Sequence, residues 1–257
     1  MLRLIIASVF WAWVALAAAQ EPANDPGAEL KAITDEYDKA AEAFWEQFEK
    51  TREEKKDAEP DMSKHPARQF LPRVEAFAKK HAGQPAAIPA LCWIIENSQD
   101  AVPGSEDKLP AVGEWAFEQI TTVHAGQKEV ADALRTLSRS SWVLGEQKVV
   151  PALERIESAN PEPGVKASAL FYQGVVYHGY DPKPEAVAKS RPLFERVLKE
   201  FPDSEAAKKC EPFLFEINNL QVGMKAPELE GTDAEGKTIT LSSLRGQVVV
   251  LDFFGFW

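Results

Sequence analysis

Two cysteines and four histidines are the side chains here with the clearest capacity for chemistry: Cys92 and Cys210, with His65, His81, His124 and His178. A thiolate attacks disulfides or binds metal, and an imidazole moves protons near neutral pH. Both depend on spacing, and the spacing is poor. The cysteines lie far apart in the chain, and no histidine has a partner at metal-ligand separation. Surface or half-buried packing is therefore the expectation for each histidine. Cys92 sits in the apolar run Ile88–Ile95, where cysteine is an ordinary small core residue. Cys210 has Lys208, Lys209 and Glu211 as neighbours. Two unrelated thiols are expected, although a bridge between them stays open.

The other residue types give no stronger lead. Gly113, Gly126, Gly145 and Gly164 form no phosphate-binding pattern, and Ser138, Ser140 and Ser141 lie on a helical stretch without a nucleophile elbow. Glu53-Glu54 is a solvated helix face. Trp93, Trp115 and Trp142 look like core anchors of helical hairpins. No residue qualifies as a candidate catalytic, cofactor-binding or metal-ligating group, and no cofactor is expected.

The elements that would carry any site are mostly helical. Leu30, Ile33, Tyr37, Ala40, Ala41, Phe44 and Phe48 recur at three- and four-residue steps from Glu29, which predicts a long helix with a charged extension over Arg52–Glu59. Shorter helices follow at about Ala67–His81, Ala86–Asn97, Glu106–His124, Lys128–Val143, Gln147–Ser158, Val165–Tyr177, Glu185–Glu200 and Ser204–Leu220. Prolines at 72, 89, 110, 151, 192 and 212 should mark first turns or kinks. One pair resembles a tetratricopeptide (TPR) unit: Leu170, Gly174 and Tyr177 fit its first helix, and Phe194, Val197 and Pro202 its second half. The turn Asp181–Pro184 is about four residues longer than that unit has. Gly174 should let the paired helix approach, and Pro202 should stop the second helix.

After Val222 the pattern changes. Ala226-Pro227 gives an extended entry, Asp233–Gly236 a tight turn, and Thr238–Leu241 a short alternating strand. Ser242 or Ser243 should cap one helical turn that Gly246 ends. Val248–Phe254, broken only by Asp252, then predicts a strand buried on both faces.

Over Val222–Trp257 the chain resembles the redoxin branch of the thioredoxin-fold proteins, which includes TlpA-like thiol–disulfide oxidoreductases and the AhpC/TSA peroxiredoxins. Gly223, Ala226-Pro227, Gly236-Lys237, Leu241, Leu244-Arg245-Gly246 and the run Val248–Phe254 closing on Trp257 carry the resemblance. In TlpA-like members a tryptophan in the place of Trp257 directly precedes a Cys-x-x-Cys pair. The resemblance thus implies thiol–disulfide exchange with protein thiols or disulfides as substrates, through a mixed disulfide that the second cysteine resolves. The sequence holds no such pair, so the domain is expected to be truncated and inactive as written.

Composition and the amino end complete the picture. A net charge of −11 argues against nucleic acid and anionic membrane surfaces as partners. Arg3, the apolar stretch Leu4–Leu16 and Ala17-Ala18-Ala19 have the form of a cleavable signal peptide, the alternative being an uncleaved membrane anchor. The expected organisation is a signal peptide at 1–19, a flexible segment at 20–28, a TPR-like all-α domain at 29–220 and a truncated redoxin domain at 222–257. The fold class is mainly α with the first β elements of an incomplete α/β domain. Export to the periplasm or cell envelope and a redox partner bound by the helical domain complete the reading; the rival is a non-enzymatic helical scaffold with a vestigial tail. Coding DNA beyond codon 257 would separate that scaffold from an interrupted reading frame.

Overall fold

The computed structural model describes residues 25–105 and 107–255; the signal-peptide reading of 1–19 lies outside them. Helix α1 (Pro26–Glu54) starts three residues before the expected start at Glu29. Asp25 caps it, its side chain accepting from the Gly27 amide at 3.0 Å, and Pro26 takes the first helical position, where a missing N–H costs nothing. Residues 26–28 are thus helical, where a flexible segment was expected. The helix also stops at Glu54, within the charged extension expected to run to Glu59.

Nine further helices follow among the described residues: α2 (Ala67–Lys80), α3 (Ala87–Ala101), α4 (Ala111–Thr122), α5 (Leu134–Arg139), α6 (Ser141–Leu144), α7 (Glu146–Ala159), α8 (Pro163–His178), α9 (Pro184–Glu200) and α10 (Glu205–Asn219). The stretch expected as one helix over Lys128–Val143 is instead a 3-10 segment, Lys128–Ala133, followed by α5 and α6. Serine explains part of the break. Ser138 Oγ donates to the Arg135 carbonyl and Ser140 Oγ to that of Leu137, at 2.9 and 2.6 Å, competing with the helical ladder. Pro163 and Pro184 each open a helix at its first turn, and the Ser204 hydroxyl caps α10 by accepting from Ala207 N at 3.1 Å. Pro72, Pro151, Pro192 and Pro212 lie within helices that run on past them.

Two hydrophobic cores hold the helices together. The first gathers side chains from Leu30 through Ala169 and includes Ile88, Leu91, Ile120, Leu134, Leu153 and Ile156. The second unites α8, α9 and α10 through Leu170, Phe171, Phe194, Val197, Cys210 and Ile217. Helix α8 serves both: Val165 and Ala169 face the first core while Ala167 and Leu170 face the second. Its partner α9 comes close at Gly174, where a Cβ would lie 2.5 Å from the Phe194 ring. The absent side chain is the space into which Phe194 packs.

Strands β1 (Glu230–Thr232) and β2 (Thr238–Thr240) pair antiparallel, Gly231 opposite Ile239. Asp233 builds their turn, its carboxylate accepting from Glu235 N at 3.0 Å and Lys237 N at 2.8 Å, while Gly236 takes φ +83°. A 3-10 turn, Leu241–Leu244, follows. Neither serine caps it; the Glu228 carboxylate accepts from the Ser242 amide at 2.9 Å instead. The chain is thus mainly helical, with a single two-stranded sheet among its described residues.

Candidate functional site

All four histidines are buried, against the expectation of surface or half-buried positions. His65 lies beneath α1, its ring edge-on to Phe44 at 5.1 Å and Trp45 at 5.9 Å, and burial lowers its basicity. His178 packs against Phe213 at 5.1 Å and faces the Gly179 carbonyl through Nδ1 at 3.2 Å. His81 and His124 close α2 and α4 in the same way. Nδ1 of each faces the side-chain oxygen of a glutamine three residues on, Gln84 at 3.2 Å and Gln127 at 2.8 Å.

That equivalence was written in the chain as a repeated tetrapeptide, His-Ala-Gly-Gln, at 81–84 and 124–127. It is the signal a search for ligand spacing misses. The repeats are stitched to one another. Gln127 Nε2 donates to the Gly83 carbonyl at 2.8 Å, and Asn160 Nδ2 donates to the carbonyls of Ala125 and Gln127, both at 2.8 Å. Three inter-helix loops are thereby joined in a row. These histidines organise helix ends, and among the described residues no three of His, Cys, Asp and Glu converge.

The cysteines are free and belong to different cores, Cys92 against the first and Cys210 inside the second, which rules out a bridge in this fold. Burial, aided by the negative charge of Glu96, pushes the Cys92 thiol up to about 12; burial alone does the same for Cys210. Neither occupies the first turn of a helix, where a thiolate would gain from unpaired amides. Trp93 and Trp115 pack against the first core as anchors. Trp142 does not; it is 82 % exposed on the short α6.

A largely apolar cavity of about 560 Å³ lies in the helical unit, framed by the amino-terminal part of α1, by α3, and by Asp132 and Thr136. Leu30, Ile88, Pro89, Cys92 and Trp93 form its walls. Thr136 donates to Glu96 at its rim, 2.7 Å between oxygens.

In the tail, the order strand, turn, strand and short helical turn holds, but Val248–Phe254 does not pair as a strand. Val250, Phe253 and Phe254 are 87 %, 82 % and 81 % exposed. A strand buried on both faces requires neighbours on both edges, and among the described residues none lies beside this run.

A scan against family models finds no match, and no solved structure matches. Curated relatives do. The chain is 42 % identical over 45 residues to thiol-disulfide oxidoreductase ResA from Bacillus thuringiensis, Bacillus cereus and Bacillus anthracis. The matched stretch is 18 % of this chain and spans about a quarter, 26 %, of each relative. These findings support a thioredoxin-like relation for a short part of the chain.

Proposed function

We propose that the segment from Val222 is the opening of a redoxin-like domain and that the protein belongs to thiol–disulfide exchange in the cell envelope, to which its amino-terminal segment directs it. The helical unit, a TPR-like stack of hairpins, would hold a redox partner protein beside that domain. One observation carries the reading. The tail folds into the hairpin and short helical turn that Asp233–Gly236 and Thr238–Leu241 lead one to expect, and the chain has local identity to an enzyme named for that chemistry. Cys92 and Cys210 do not fit the catalytic role: both thiols are strongly disfavoured as thiolates, and they lie in separate cores. The exchange step is therefore assigned to neither.

The test is to extend the chain beyond Trp257 with a redoxin remainder carrying a Cys-x-x-Cys pair. The extended protein should reduce a model protein disulfide at the expense of dithiothreitol, and replacing either added cysteine by serine should abolish this. An extension that stays unfolded on the Val222–Phe254 segment would refute the redoxin reading. The rival, a non-enzymatic scaffold, draws on the closure of both cores within Leu30–Ile217. It would gain if the helical unit bound partner proteins equally well without the tail.

A further inference from the structure

We propose that the cavity beside Cys92 binds a small organic cation, a protonated amine carried on a compact hydrophobic body. Its volume of about 560 Å³ suits a ligand of that kind. Leu30, Ile88, Pro89 and the Trp93 indole offer an apolar, partly aromatic wall, and an aromatic face attracts a cation. Charge decides the sign of the ligand. Glu96 and Asp132 line the cavity from its solvent-exposed side, and the charge of each opposes ionisation of the Cys92 thiol. The basic residue of the lining, Lys31, holds its ammonium 2.6 and 2.7 Å from the two oxygens of Asp35 one turn along α1. An anion would meet two carboxylates and a lysine already engaged. A cation would complete them. Glu96 also presents a fixed oxygen, since Thr136 donates to it.

The experiment is calorimetric titration of the full chain with 4-phenylbutylamine and, separately, with 4-phenylbutyrate, which shares its body and reverses its charge. The amine should bind about tenfold more tightly than the acid or better. The pair Glu96→Gln and Asp132→Asn should remove most of that preference, and Glu96→Gln retains an oxygen for the Thr136 hydroxyl. Ala86→Phe should plug the cavity and weaken both ligands. Glu118→Gln, an exposed change on α4 away from the cavity, should alter nothing. Thermal melting of each variant checks that it is folded. Equal affinity for amine and acid, no binding of either, or amine binding indifferent to both the charge and the plug variants would overturn the proposal.

Discussion

Replacing Gly174 by alanine asks what holds α8 against α9. A Cβ at this position would meet three atoms of the Phe194 ring at 2.5, 2.9 and 3.0 Å, whereas carbon atoms rest at about 3.5–4.0 Å. Phe194 is fully buried and wedged against Phe171 and Phe213, with ring centroids 6.0 and 4.9 Å away, so it cannot swing clear. Overpacking of this kind costs about 1–3 kcal/mol, and alanine returns about 0.5–1 kcal/mol through its better helix propensity. The net expectation is a loss of up to about 2.5 kcal/mol. The same helix supplies its own control. At Gly164 a new Cβ would meet nothing within 4 Å, so Gly164→Ala should stabilise by about 0.4–1 kcal/mol. Urea unfolding followed by far-ultraviolet circular dichroism measures both. Phe194→Leu in the Gly174→Ala background should cost less than Phe194→Leu alone, because the smaller side chain admits the new methyl. Gly174→Ala and Gly164→Ala with shifts of the same sign, and no coupling to Phe194, would refute close approach as the reason for glycine.

Four further outcomes are expected. Asn160→Ala removes two N–H donors, one buried and one part-buried, from carbonyls of the neighbouring loop and should destabilise by about 2–4 kcal/mol in the same urea assay. Iodoacetamide at pH 8 should modify Cys92 and Cys210 about a thousandfold more slowly in the native protein than in denaturant, as thiols raised from 9.0 to about 12 require; rapid native labelling of either would contradict their burial. His65 is less basic in the folded protein than its ordinary 6.5, so the unfolded chain binds the proton more readily and stability should fall as pH drops below 6.5; His65→Phe should flatten that part of the profile in melting experiments. A chain ending at Leu220 should keep its helical dichroism and a cooperative melt, because both cores close by Ile217, and it should scatter less light than the 257-residue chain with its exposed Val248–Phe254.

The helical periodicity was legible because each helix shows one apolar stripe to a core, as Phe70, Leu71, Val74, Phe77 and Ala78 do on α2. Helix starts were less so: Asp25-Pro26 and Pro163 set them through capping and ring geometry, which apolar spacing does not register. The tail hairpin was readable from Asp233 and Gly236, whose turn chemistry is local. Val248–Phe254 was misread as a buried strand because burial depends on partners elsewhere in space, and its side chains announce only a demand for them. Trp142 and the histidines failed in opposite directions. An indole on a four-residue helix had no neighbour to cover it, while the imidazoles of His81 and His124 were accommodated by glutamine partners, supplied by a loop motif that ligand spacing does not describe. For the candidate site, the sequence showed Cys92 in an apolar run, but the cavity beside it arises from α1, α3 and α5, which only folding brings together.

The row of joined loops also determines where this chain can vary in length. The Gly83 carbonyl, the Gln127 amide and the Asn160 side chain meet only if the loops after α2, α4 and α7 each keep their present number of residues. One residue gained or lost in any of them slides a donor past its acceptor, and in the loops after α4 and α7 it also strands the buried bond from Asn160 to the Ala125 carbonyl. The turn between α8 and α9 has no such obligation. Gly179 takes φ +68°, Tyr180 stands 93 % in solvent, and Asp181–Lys183 join the helices without entering the row. Extra residues, a fused peptide or a protease site inserted there would leave the stitching untouched, so this turn is the natural place to open the chain or graft onto it.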